Sequence, residues 1–520
     1  MIKTLFNSFM GNSPRWYKSL MIIFLLINPL LLIFLNKFTV GWIILVEFIT
    51  TLALALKCYP LLSGGLLAIQ LCFIGMVNVE TIYKEVEHNL GVILLLMFMV
   101  AGIHFMKDFL VWLFKKILFS TKSKILLSIM FCFMGAFLSA WLDALTVMAV
   151  MIAVCSSFYE IYNEVSYKKR VPNLTSNLEI NEVEDKRKKD GRDDLEQFKG
   201  FLRNLLMHGA IGTALGGVST IVGEPQNLLI GQIMNWNFKD FFLFMAHVSI
   251  PTLISGLLTV FIVEKFSLFG YGYKLPERVL NVLKSSDEEE KNNMTKEDYF
   301  RIIIQGIGAI WLIIALALHL AEVGLIGLSV IILLTTFTGK NNEHIIGKSF
   351  EEAMPFTSLL VIFFVIVAMI QENNLFEPII TKAFSFQGEQ QIFAFFAASG
   401  ILSAISDNVF VATIYIQEVS KAFQNGIIDL KQFENLAIAI NIGTNIPSIA
   451  TPNGQAALLF LLTSGISSKI RLSYLTMMKL SLPYTIILTL TSLIFLNYNW
   501  LNYIPNNHSK VEINNHLKAH

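Results

Sequence analysis

Apolar residues run along this chain in blocks rather than in alternation. At roughly 20–36, 39–56, 60–77, 90–106, 241–263, 301–319, 323–339, 355–371 and 474–496 the blocks are long enough to cross a hydrocarbon core of ~30 Å as helices. The short alternating segments that a membrane β-barrel needs are missing. The pattern predicts an all-α polytopic membrane protein.

Four further apolar regions carry polar residues at their centres. Residues 390–416 number 27, about 40 Å as a single helix, yet Ser403, Ser406, Asp407 and Asn408 lie in the middle. A re-entrant hairpin that enters and leaves by the same membrane face fits better than one span with a polar midpoint. Residues 125–159 repeat the pattern around Asp143. The blocks 204–233 and 434–464 are broken by GGVSTIVGEPQN and NIPSIATPNGQ. Pro, Gly and amides at membrane depth predict two interrupted transmembrane helices, whose freed backbone must face protein or a wet cavity.

These regions form two pairs. LSAWLDALTV (138–147) and LSAISDNVFV (402–411) share Leu, Ser, Ala, Asp and Val at an offset of 264. Gly212, Thr213, Thr220 and Gly223 recur as Gly443, Thr444, Thr451 and Gly454 at an offset of 231. Most of the 33-residue difference is the insert 163–199, whose KKR and DKRKKD clusters read as a solvated or disordered loop. Two matches in the same order, both at polar interruptions, predict an internal duplication.

Charge distribution assigns the sides. With a cytoplasmic N-terminus and hairpins that return to their own face, cytoplasmic segments collect 30 of the 39 Lys and Arg, including five in 107–124, ten in 160–203 and seven in 264–301. Five crossings then separate the hairpins, so the repeats are inverted. The expected organisation is an N-terminal segment with an extra first span (1–38), a first inverted repeat (39–263), a cytoplasmic linker (264–300), a second inverted repeat (301–497) and a polar tail (498–520). Hairpin 125–159, the insert 163–199 and broken helix 204–233 belong to the first repeat, and hairpin 390–416 and broken helix 434–464 to the second.

Composition narrows the function classes. Of 520 residues, 54% are hydrophobic and 15% charged, and the net charge of +1 offers no surface for nucleic acid. The four cysteines are scattered without CxxC or metal-type spacing and read as small buried hydrophobes, so no cofactor is implied. Lys3, Arg15 and Lys18 precede the run Leu20 to Leu35 as in a signal peptide, but no small-residue cleavage site follows at Asn36-Lys37-Phe38. The run is read as the first span.

Inverted repeats with helices broken near the midplane are the layout of secondary transporters. Asp143 and Asp407 occupy matching hairpin tips beside Ser139, Thr146, Ser403 and Asn408. A carboxylate at that depth is costly unless it holds a cation or a proton, so both are expected to bind Na⁺ or H⁺, against the plainer role of structural partner to a helix end. Glu224 is either a ligand or a cap on freed N–H groups. Asn227, Thr451, Asn453, Gln455 and Asn445 offer neutral oxygens for a monovalent cation, or close the breaks. Glu47 is a proton-path residue or the partner of a neighbouring hydroxyl; Glu322, near the outer surface, is interfacial or a proton entry. Lys107 reads as snorkelling and His104 as helix packing.

The segments PRWYKSLMIIFLLINP, ALKCYPLLSGGLLAI, ILLLMFMVAGIHFMK, LDALTV, GGVSTIVGEPQNLLI, LHLAEVGLIGLSVIIL, SDNVFVATIYI and ATPNGQAALLFLLTS together resemble the NhaB-type sodium/proton antiporters of the ion transporter superfamily. The similarity runs from about residue 10 to about 490 and leaves out only 163–199, 280–296 and the tail. The resemblance implies electrogenic exchange of cytoplasmic Na⁺ or Li⁺ for external H⁺ in a bacterial inner membrane, with Asp143 and Asp407 leading the ion site. Carboxylate carriers of the superfamily share the layout but have Ser-Asn-Thr at the hairpin tips. Two aspartates there would repel a dicarboxylate.

A sodium-coupled anion symporter is the alternative within the transporter class. An intramembrane aspartyl protease would need YD and GxGD contexts, and a metalloprotease HExxH; neither occurs. The expected partners are therefore Na⁺, Li⁺, H⁺ and the lipid bilayer, with monomer and homodimer both open.

Overall fold

A computed structural model describes residues 2–121, 123–168, 181–340, 342–351, 353–386 and 388–497. The tail 498–520 and residues 169–180 of the insert lie outside the described residues. Among the described residues twenty-four α-helices follow one another in chain order. The first six are α1 (Ile2–Ser8), α2 (Arg15–Phe34), α3 (Lys37–Ala53), α4 (Pro60–Phe73), α5 (Val79–His88) and α6 (Leu90–His104). There follow α7 (Lys107–Ser120), α8 (Lys124–Ser139), α9 (Ala144–Lys168), α10 (Asn181–Gly217), α11 (Pro225–Met234), α12 (Phe238–Lys265) and α13 (Glu277–Asn293). Next are α14 (Lys296–Ala317), α15 (Val323–Thr338), α16 (Glu343–Glu351), α17 (Met354–Glu372), α18 (Glu377–Phe384), α19 (Glu389–Ile405) and α20 (Asn408–Gln424). The last described are α21 (Leu430–Asn445), α22 (Ala456–Thr463), α23 (Gly465–Lys469) and α24 (Tyr474–Leu496), with a 3-10 turn, Pro447–Ala450, between α21 and α22.

Each of the nine uninterrupted apolar blocks is a helix, starting within about five residues of its expected position. Their ends follow from local chemistry. Asn36 accepts from Thr39 N at 2.8 Å and starts α3, and reciprocal Asn237–Asp240 and Thr295–Asp298 capping boxes start α12 and α14. Among the described residues six helices (α2, α9, α12, α14, α17 and α24) are long and apolar enough to cross a membrane, or seven if α5 and α6, bent by 55°, are one span. Four more apolar helices, α4, α8, α15 and α19, are shorter.

Both expected breaks occur. Helix gives way to irregular chain at 218–224 between α10 and α11, and at 446–455 around the 3-10 turn between α21 and α22. Two readings change. The region read as a 27-residue hairpin is two 17-residue helices, because QEVSKAFQ continues α20 as far as Gln424. The insert 163–199 is not a loop where it is described: α9 runs on to Lys168 and α10 begins at Asn181. Glu, Lys, Arg and Gln are good helix formers, and a charged stretch joined to an apolar helix simply extends it.

Close helix pairs surround the breaks. A side-chain carbon on Gly212 or Gly216 of α10 would overlap the backbone of α8 at Cys132 or Ala136, and one on Gly443 of α21 would overlap α19 at Phe396. Gly216→Val therefore forces rigid backbone apart. It is expected to lower the unfolding temperature of the detergent-solubilised protein, with a cost at or above the ~1–3 kcal/mol usual for overpacking. Gly347→Ala, in open space within α16, should not lower that temperature, because Ala is the better helix former.

Candidate functional site

The two membrane aspartates are helix caps. Asp143 stands between α8 and α9, where its Oδ2 accepts from Thr146 N at 3.2 Å and lies 3.4 Å from Thr146 Oγ1. Asp407 stands between α19 and α20, where its Oδ1 accepts from Val409 N at 2.8 Å and Phe410 N at 3.2 Å. A carboxylate at a helix N-terminus satisfies orphan N–H groups and is stabilised by the helix dipole. In Asp407 one oxygen does that work, and Oδ2 accepts no hydrogen bond among the described residues.

Asp143, Asp407 and Glu224 line one cavity of about 640 Å³, together with Thr146, Asn408 and Asn453. Glu224 precedes Pro225 at the start of α11, is buried, and its Oε1 has no hydrogen-bond partner among the described residues. Asn453 donates from Nδ2 to Ala53 O at 2.6 Å, at the end of α3, while its Oδ1 is likewise buried without a partner. Acceptor oxygens lacking donors are what a desolvated cation or a proton requires. Among the described residues no three His, Cys, Asp or Glu converge as a metal cluster.

The remaining expected ligands are near the cavity without lining it, and most close the breaks. Asn227 donates from Nδ2 to Gly217 O at 2.7 Å and Thr220 O at 2.6 Å, satisfying carbonyls at the end of α10. Gln455 donates to Asn445 O at 2.6 Å at the end of α21, and its Oε1 is buried without a partner among the described residues. Thr220 Oγ1 donates to Ala140 O at 2.6 Å and Thr451 Oγ1 to Ala404 O, so the breaks are tied to the C-terminal ends of α8 and α19. Ser403 Oγ contacts Asn408 Oδ1 and Thr444 O, whereas the Ser139 hydroxyl is buried without a partner among the described residues.

Asn445 links the halves of the chain. Its Oδ1 accepts from Gln226 Nε2 at 2.9 Å, and Asn441 Nδ2 donates to Val218 O at 3.2 Å. Glu47 is buried between α2, α3 and α4 and does not line the cavity, and Glu322 is exposed at the start of α15.

Sequence reading missed Gln226 and Tyr59, and assigned His104 and Lys107 only to packing and snorkelling. All four line the cavity. Gln226 was visible as a polar side chain in GEPQN, but nothing in its spacing separates a lining residue from a break-closing amide. The cavity extends from the carboxylates to Lys107 and Glu351.

Comparison with known proteins adds a lineage. The family described as "Bacterial Na+/H+ antiporter B (NhaB)" matches residues 1–512. The "Na(+)/H(+) antiporter NhaB" of Serratia proteamaculans (strain 568) is 52% identical over 494 residues, covering 95% of this chain and 94% of its own length. Proteins with the same description from Escherichia coli O6:K15:H31 (strain 536 / UPEC) and Shigella flexneri serotype 5b (strain 8401) are 54% and 53% identical over 498 residues, covering 95% of each chain.

Proposed function

Because the chain belongs to the NhaB family of bacterial Na⁺/H⁺ antiporters, we propose that Na⁺ and H⁺ compete for Asp143 and Asp407 and that this competition couples their exchange. Na⁺ and H⁺ are the transported ions. The chain is a multi-pass inner-membrane protein of a transporter family, not of a family of catalysts. The observation that carries the site assignment is that two aspartates 264 residues apart cap two helices and line one cavity.

In this reading Glu224, Thr146, Asn408 and Asn453 complete the site, while Asn227, Thr451, Gln455, Ser139, Ser403 and Asn445 hold its walls. An ion loaded from one side permits alternation to the other, and inward proton flow expels Na⁺ or Li⁺. The cycle is electrogenic, with more H⁺ moving inward than Na⁺ outward. With the N-terminus cytoplasmic, Lys107 and Glu351 lie in segments that the charge distribution assigns to the cytoplasm, which supports a cavity open to that side.

The same proposal includes two inverted repeats, each with a re-entrant hairpin and a broken helix, over 39–263 and 301–497. Its support is residue by residue. The Thr220–Ala140 tie and the Thr451–Ala404 tie are related by the sequence offsets, as are the close approaches of Gly212 to Cys132 and Gly443 to Phe396. Cross-links between the breaks, such as Gln226 to Asn445, favour movement of both as one body.

The test is a ΔpH-sensitive dye in everted vesicles from an antiporter-deficient strain, with Na⁺, Li⁺, K⁺ and then succinate added. Dequenching by Na⁺ and Li⁺ but not K⁺ is expected. No response in vesicles that contain the protein overturns the exchange reading, and Na⁺-dependent uptake of labelled succinate would put the anion symporter in its place.

A further inference from the structure

Away from the ion cavity, α2, α3 and α4 enclose a small polar cluster in an otherwise apolar bundle. Glu47 of α3 is 6% exposed, Asn28 of α2 is 0% exposed and Gln70 of α4 is 8% exposed. Asn28 Nδ2 donates to Glu47 Oε2 at 2.7 Å and to Gln70 Oε1 at 3.0 Å, and Gln70 Nε2 donates to Leu25 O at 2.6 Å. Both hydrogens of the Asn28 amide are thereby used. Its Oδ1, fully buried, has no donor among the described residues. Among the described residues no Lys, Arg or His forms an ion pair with Glu47, and Asn28 is its hydrogen-bond partner.

Two deficits meet at this pair. An ionised carboxylate would be buried in an apolar bundle with no countercharge, and the Asn28 carbonyl oxygen would be buried without a hydrogen bond, each at substantial cost. One proton removes both. A hydrogen on Glu47 Oε1 cancels the charge and supplies the donor that Asn28 Oδ1 lacks, while Oε2 keeps accepting from Nδ2. Carboxylic acid and primary amide present donor and acceptor side by side in complementary order.

We infer that Glu47 is a neutral carboxylic acid locked to Asn28 by two hydrogen bonds, a proton-binding site of the N-terminal bundle separate from the ion cavity. Its proton stays in place through the transport cycle, because the pair is closed on itself and borders no cavity shared with Asp143 or Asp407. Glu47 thus joins three helices as an uncharged group and is not a station on the proton path.

Infrared difference spectroscopy of the lipid-reconstituted full-length protein tests this. The wild-type minus Glu47→Gln spectrum at neutral pH should contain the C=O band of a protonated carboxyl, unchanged by Na⁺. Gln keeps both hydrogen bonds, so the Na⁺-driven dye response in vesicles should stay within about twofold of wild type, since each bond is worth only ~1 kcal/mol net. In Asn28→Ala the band should move to the higher frequency of an acid carbonyl without a donor. Absence of the band, its loss on adding Na⁺, an unmoved band in Asn28→Ala, or abolished exchange in Glu47→Gln would each overturn the inference. If Asp143 and Asp407 proved not to carry Na⁺, these spectral results would be unaffected, so the two readings fail separately.

Discussion

Asp143→Asn, and independently Asp407→Asn, should reduce Na⁺-dependent proton movement in everted vesicles to the level of vesicles lacking the protein. Asn keeps the side-chain oxygen that caps the following helix, which for Asp143 accepts from Thr146 N and for Asp407 from Val409 N and Phe410 N. Amount in the membrane and unfolding temperature should therefore hold. What Asn removes is the charge and the titratable proton, so neither Na⁺ attraction nor proton exchange remains at that position. Asn453→Ala, which deletes only a neutral oxygen and the tie to Ala53 O, should raise the half-saturating Na⁺ concentration without abolishing exchange. Wild-type exchange in Asp143→Asn would leave the aspartate a cap and nothing more, and the ion site would have to be sought elsewhere in the cavity.

The second large effect concerns stability. Glu264, in the last turn of α12, is buried with Lys124 Nζ 2.8 Å from Oε2, and His208 Nε2 at 2.9 Å and Ser128 Oγ at 3.2 Å from Oε1. His208 is tied in turn to Tyr484, whose hydroxyl lies 2.9 Å from Nδ1, so the cluster joins α8, α10, α12 and α24. Lys124→Met leaves the carboxylate without its cation. Removing one partner of a buried ion pair costs up to ~3–5 kcal/mol, of which His208 and Ser128, still bonded to Oε1, offset a part. Thermal unfolding in detergent should register this as a marked fall in midpoint. Lys124→Met combined with Glu264→Met should recover most of the loss, since well-packed apolar replacement of a whole pair is often neutral. A double variant no better than the single one would show that His208 and Ser128 depend on the carboxylate for more than charge balance.

Much of this organisation is legible along the chain. Apolar block length predicted the uninterrupted helices, because a helix satisfies its own backbone and in lipid only burial of its side chains remains to be arranged. Pro, Gly and amide clusters predicted both breaks, and the repeated LSA…D pattern singled out Asp143 and Asp407. The helical extensions at 181–199 and 417–424 were less legible: a charged stretch carries no hydropathy signal that separates a loop from a solvated helix, and its backbone follows the helix to which it is joined.

Local pattern is decisive wherever the energetic requirement is local. Length, hydropathy, helix breaks and capping aspartates are such features, and the sequence by itself determined them. Tertiary structure alone decided which polar atoms meet. An amide carries a donor and an acceptor, and its neighbours across the fold determine which is spent. Asn227 spends its donor on the end of α10, Asn445 joins the two breaks, and Asn453 turns its donor to α3 and leaves an oxygen unused. Glu47 is sorted in the same way, away from the cavity and against Asn28, by helices whose mutual approach no single stretch of sequence encodes.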